Sequence, residues 1–244
     1  MSDKKPLIQK TQKSQRVDVS TSPSGDISAF LAAAERIKPS ADGKGRVVLA
    51  LDATMSRQPT WDLAVEIQGQ MFEAVSTATP LQMQLVFFRG YGECRASDWA
   101  RDGKTLANRM SQINCQAGRT QIGKVLSHAR KTHKQTPISA VVYIGDAMEE
   151  NPDALGHRAG ELGMLGVPVF LFQEGHDRMT ETTFKEIARL THGGWFRFDL
   201  KSPEVLKDLL SSIAVYATGG LRALTARGHK SDRVLIEHLK GGGR

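Results

Sequence analysis

Short apolar runs recur along this chain, separated by longer stretches in which apolar residues return every three or four positions. Val47-Val48-Leu49-Ala50-Leu51 is wholly apolar, and Leu81 to Phe88 alternates before becoming apolar throughout. Ile138 to Ile144 and Val167 to Phe172 repeat the theme, and Trp195 to Phe198 follows the turn Gly193-Gly194. Runs this short, bounded by Gly, Pro and polar residues, predict buried strands. Glu93 to Trp99 reads as a short edge strand. Pro168 stands near a strand start, where its missing N–H is tolerable.

Helical spacing fills the gaps. Leu63, Ile67, Met71 and Val75 share one face of a helix predicted over Trp61–Thr77. Further helices are expected over Thr105–Ile113, Thr120–Lys131, Pro152–Leu165, Thr182–Thr191 and Pro203–Tyr216, the last opened by Ser202 and Pro203. A short helix capped by Asp26 or Ser28 would run to Ile37, ahead of the turn Ala41 to Gly45. Strands alternating with helices predict an α/β fold: a doubly wound, Rossmann-like, mostly parallel central sheet with helices on both faces.

Charge divides the chain into three. Residues 1–24 are polar and carry an excess of three positive charges, which predicts a disordered basic N-terminal tail. Residues 25–220 are balanced and form the expected domain. The break Thr218-Gly219-Gly220 precedes a basic C-terminal tail, 221–244, with an excess of four. Inside that tail, Val234-Leu235-Ile236 and Leu239 are expected to dock on the domain or on a partner. The net charge of +7 therefore lies in the tails. They read as solvated ends or as a weak electrostatic contact, and without interleaved aromatic residues they argue against nucleic acid as the partner.

No apolar run is long enough to span a bilayer, so no membrane span is expected. Met1 to Pro6 is basic with no apolar core behind it, so no secretory signal is expected either. The only cysteines, Cys94 and Cys115, lack metal-site spacing and fit a cytoplasmic location with both thiols reduced.

Candidate chemistry begins where the first strand ends. Asp52, Thr54 and Ser56 put one carboxylate and two hydroxyls at alternate positions beyond its C-terminal end. In open α/β sheets ligands gather outside that edge, and oxygen-only ligands suit a hard divalent cation such as Mg²⁺ (or Mn²⁺). The pattern resembles the metal-ion-dependent adhesion site of von Willebrand factor type A (VWA) domains, D-x-S-x-S, with Thr54 for the middle serine. Thr54 keeps the hydroxyl but adds a methyl and a stiffer χ1. Gly118-Arg119-Thr120-Gln121-Ile122-Gly123-Lys124-Val125-Leu126 is similar to the family's G-x-T-x-x-G-x-A-L segment, and Ile138 to Asp146 to its strand ending in an aspartate. Phe184 to Phe196 is similar to the closing helix, double glycine and aromatic strand. The resemblance covers roughly residues 46–216.

The resemblance implies a metal site made by Asp52, Thr54, Ser56, Thr120 and Asp146. It also implies a non-enzymatic role in which a partner protein's Asp or Glu completes the metal shell. Intracellular VWA proteins often serve larger assemblies, so an AAA+ ATPase or other multi-subunit assembly is the implied partner class. A metal-independent scaffold acting through the basic tails is the alternative.

Two enzyme readings compete. Gly118 to Lys124 satisfies G-x-x-x-x-G-K, but Val125 replaces the metal-binding hydroxyl and no strand precedes it. A phosphatase with Asp52 as nucleophile would need a second carboxylate where Thr54 stands. His128 and His133 are five apart, one more than a zinc-binding helix face requires. Glu149 and Glu150, close behind Asp146, read either as a solvated helix start or as the rim of the crevice, with the first favoured, and Trp61 and Trp195 read as core residues.

Overall fold

The computed structural model describes residues 45–58, 61, 81–198 and 203–241. The expected N-terminal tail, the helix to Ile37, nearly all of the 61–77 helix and the Ser202 cap lie outside the described residues. Among the described residues six strands form one sheet: β1 (Gly45–Asp52), β2 (Leu81–Arg89), β3 (Glu93–Ala100), β4 (Ala140–Gly145), β5 (Val169–Glu174) and β6 (Gly194–Phe198). Their order is β3-β2-β1-β4-β5-β6, and only the β2–β3 pair is antiparallel. The sheet is the predicted mostly parallel α/β sheet.

Alternate strand residues feed two cores. Val47, Leu49, Leu51, Val142, Ile144, Phe170 and Phe172 face one side, with Leu106 and Met110 of α1 (Gly103–Met110) and the buried face of α5 (Pro203–Arg227). Val48, Ala50, Val141, Tyr143, Val169 and Leu171 face the other. There they meet α2 (Ile122–Gln135), α3 (Pro152–Met164) and α4 (Arg178–Thr191). Every residue of β1 is buried, as a strand covered on both faces must be.

Three helices open on side-chain caps: Asp102 accepts from the Thr105 N–H at 2.7 Å, Asn151 from Ala154 at 2.9 Å, and Asp177 from Thr180 at 2.7 Å. The Asp177 cap starts α4 at Arg178, a turn ahead of the expected Thr182.

The C-terminal end departs most from expectation. Helix α5 does not stop at Tyr216. It continues to Arg227 through a kink at Gly220, whose φ of 64° and ψ of −164° only glycine adopts cheaply. A further helix, α6 (Lys230–Gly241), follows. Residues 221–227 and 230–241 are therefore helical, and the expected docking segment Val234 to Leu239 packs on the domain. The reason is a buried seam: Leu224, Leu235 and Leu239 are at most 3% exposed. His238 meets the Phe196 ring edge-on at 4.5 Å. Asp232 locks the turn by accepting from Arg227 Nε at 2.9 Å, His229 N–H at 2.9 Å and Ser212 Oγ at 2.7 Å. Arg222, Lys230, Arg233 and Lys240 are exposed, while Arg227 turns inward to Asp232.

Among the described residues no helix is long and apolar enough to cross a membrane. Cys94 and Cys115 are unbridged and belong to opposite faces of the sheet.

Candidate metal centre

The strand order reverses direction between β1 and β4, and ligand crevices in doubly wound sheets form at such a switch point. Asp52 ends β1 and Asp146 directly follows β4. Leu51 pairs with Ile144, so Asp52 is level with Gly145 and Asp146 follows one residue further along at the same edge. Asp52 is 1% exposed and its Oδ1 accepts the Thr54 N–H at 2.8 Å. Its Oδ2 and the Oδ1 of Asp146 are buried acceptors that receive no hydrogen bond among the described residues. A buried carboxylate oxygen without a donor calls for a cation or a water.

The hydroxyls come from two loops. Thr54 is extended at φ −74° and ψ 163°, and its Oγ1 lies 3.1 Å from Ser56 Oγ. Arg57 N–H closes the turn by donating to Thr54 O at 3.0 Å. Thr54, 7% exposed, forms a bridge with Gln116, and Gln116 N–H donates to Ala53 O at 3.0 Å. This stitches the Asp52 loop to the segment that carries Thr120. Thr120 in turn is tied to the loop after Asp146: its N–H donates to Glu149 at 3.1 Å, and its Oγ1 accepts the Glu149 N–H at 3.0 Å.

Both glycines of the Thr120 segment have steric reasons. A Cβ on Gly118 would lie 2.1 Å from Gly90 O in the β2–β3 turn, where Arg119 N–H donates to that same oxygen at 3.1 Å. A Cβ on Gly123 would crowd Arg158 and Glu150 at 2.8 and 3.0 Å. Glu150 caps α2 by accepting from Ile122 and Gly123 N–H, the latter at 2.9 Å. Those are the amides a phosphate would need, so the nucleotide-loop reading loses its cradle to the chain's own carboxylate. Glu149 and Glu150 are thus structural ties of the crevice, not a solvated helix start.

Three further groups in the crevice left no trace in the sequence pattern. Arg57, one residue past Ser56, is 1% exposed and pairs with Glu174 at the end of β5. Burial pulls its guanidinium below the ordinary value, opposed by Asp146 and Asp52. Tyr143 is buried with its hydroxyl 2.7 Å from where a Cβ of Gly145 would sit, beside Asp52 on the neighbouring strand. Burial and then the Asp52 charge raise its phenol well above the usual value. Burial also pushes Asp52 up to about 6, against hydrogen bonds from Thr54, with Asp146 adding to the rise and Arg57 lowering it.

No group of three or more His, Cys, Asp or Glu side chains converges on a metal position among the described residues. His128 contacts Gln84 and His133 the backbone of Ile138. What the crevice offers is two carboxylates with neighbouring hydroxyls. Such a donor set fits a hard, oxygen-seeking cation and not a soft one.

No family model matches the chain, and no curated protein matches it by sequence. Solved structures do. A von Willebrand factor type A protein from Catenulispora acidiphila superposes with a TM-score of 0.59 at 14% identity, covering 72% of this chain and 43% of its own. The SpRpn10 VWA domain gives 0.56 at 11% identity, with 66% of this chain and 94% of that domain covered. Proximal thread matrix protein 1 from the mussel byssus, with a zinc-occupied MIDAS motif, gives 0.56 at 13% identity over 73% of this chain and 47% of that one. The chain thus spans less than half the length of two of these relatives. Six strands in this order, with two aspartates at the switch point, are the von Willebrand factor type A fold, and that is the fold of this chain.

Proposed function

We propose that the chain is a non-enzymatic protein-interaction module whose crevice binds a divalent cation and, through it, an acidic side chain of a partner protein. Asp52, Thr54, Ser56, Thr120 and Asp146 would hold Mg²⁺ or Mn²⁺. The bound ion would supply an open coordination position that attracts a carboxylate. The observation that carries this reading is the pair of undonated, buried carboxylate oxygens on adjacent strand ends. The chain's own residues do the preparatory work: Thr54 N–H orients Asp52, and the Thr120–Glu149 bonds hold the second hydroxyl loop against the third.

The metal-bearing site of the mussel protein supports a divalent ion in a fold of this kind. A cytoplasmic setting agrees with the two unbridged cysteines. The partner class is an intracellular assembly, an AAA+ ATPase being the candidate that the sequence resemblance suggests. A metal-independent scaffold is the second reading, favoured by Arg57, a cation already buried beside both aspartates.

Thermal melts separate the two. Mg²⁺ or Mn²⁺ raises the Tm of the wild type, and Asp52→Ala or Asp146→Ala abolishes the rise. Partner capture is then lost in EDTA. Equal melts with and without metal in all three proteins establish the scaffold instead.

A further inference from the structure

We propose that the buried Arg57–Glu174 pair sets the charge of the crevice, Glu174 cancelling the Arg57 cation so that Asp52 and Asp146 keep their full attraction for a divalent ion. This rests on the metal reading above and adds residues to it. Arg57 leaves the same loop as Thr54 and Ser56, yet its side chain is 2% exposed and reaches past β4 to the end of β5. Gly145 pairs with Gln173, so Asp146 and Glu174 are the next residues on adjacent strands and stand level at the edge. Asp52 and Glu174 thus end β1 and β5, and Asp146 directly follows β4 between them, with one guanidinium buried beside all three.

Taking a guanidinium out of water costs several kcal/mol unless it is paired. Arg57 therefore cannot be an incidental surface base. Were it paired to the aspartates alone, it would occupy their charge and repel a metal ion at short range, where Coulomb interactions are screened least. Glu174, 19% exposed, removes that repulsion. The ion would then meet two carboxylates whose attraction the neutralised Arg57–Glu174 pair leaves in place.

Mn²⁺ affinity of the full chain, read by electron paramagnetic resonance of the free ion, tests the pair. Glu174→Gln leaves Arg57 uncancelled and weakens Mn²⁺ binding by about tenfold or more, the scale of outer-sphere changes at metal sites. Arg57→Gln leaves the Glu174 charge uncancelled beside the two aspartates and tightens binding. The double variant returns to near the wild-type affinity. Circular-dichroism melts in EDTA establish that each variant folds, and the double variant keeps the test open if one single variant does not. A purely structural role predicts weaker binding in all three. That result, or equal affinity in all three, overturns the proposal. A wild type that binds no Mn²⁺ overturns the metal reading itself, and this inference with it.

Discussion

Asp52 is the residue on which charge, burial and ligation meet. Its ordinary value of 3.8 is pushed up to about 6, chiefly by burial. The folded chain therefore holds this proton more tightly than the unfolded chain. Its stabilising share is fully present below 3.8 and is lost as pH rises through about 6. At neutral pH the bare carboxylate costs about 3 kcal/mol. Two outcomes follow. Asp52→Asn raises the metal-free Tm at about pH 7.5 while eliminating any metal-induced rise, because the amide keeps the Thr54 bond without the charge. In the wild type, the Tm gain from Mg²⁺ is larger at about pH 7.5 than at about pH 5, where a proton competes for the same oxygen. Melting curves at both pH values, with and without metal, check both. Asp52 was legible as the end of an apolar strand; Thr54 and Ser56 lie beyond that strand, Ser56 in a short 3-10 turn, and their placement rests on local hydrogen bonds rather than on strand alternation. Arg57 was not legible. A base in a polar loop reads as solvated, and only Glu174, distant in sequence, reveals that it is buried.

Among elements, the strands were readable and the loops were not. An apolar run such as Val47 to Leu51 can only be satisfied inside a sheet, so its place follows from composition. The segment 111–121 has no such period. It is shaped by contacts with other loops: Arg89 donates to Asn114 O at 2.8 Å, and Gln121 Nε2 donates to Arg89 O at 3.1 Å and Glu93 O at 3.2 Å. Gly118→Ala drives a methyl into the Gly90 backbone, so it displaces Thr120 and shrinks the metal-induced Tm rise, measured by the same melts. In the basic C-terminal segment the apolar spacing of Val234 to Leu239 points to docking, and the structure buries Leu235 and Leu239 in the core; the helical residues 221–227 carry no such signal. Leu224, Leu235 and Leu239 are enough to dock two helical stretches. Leu235→Ala costs about 2–5 kcal/mol, measured by urea unfolding, where a solvated tail would give no change. Removal of residues 221–244 lowers the Tm of the whole domain for the same reason.

At the scale of the molecule, the doubly wound order places the ends of β1, β4 and β5 on one edge, and three otherwise separate loops are stitched together there. Ala53 holds Gln116, Thr120 holds Glu149, and Glu150 holds the start of α2. The fold was legible from strand–helix alternation and from motif order along the chain. Of the crevice, the place of Asp52 and Asp146 at strand ends was legible, while its cross-ties were not, because they join residues that no local pattern connects. Equilibrium Mn²⁺ binding to the full chain and to Asp146→Ala, both shown folded in EDTA, tests the account most directly. One site in the wild type, eliminated by Asp146→Ala, is the expected result. No binding by the wild type, or equal binding by both proteins, would contradict it.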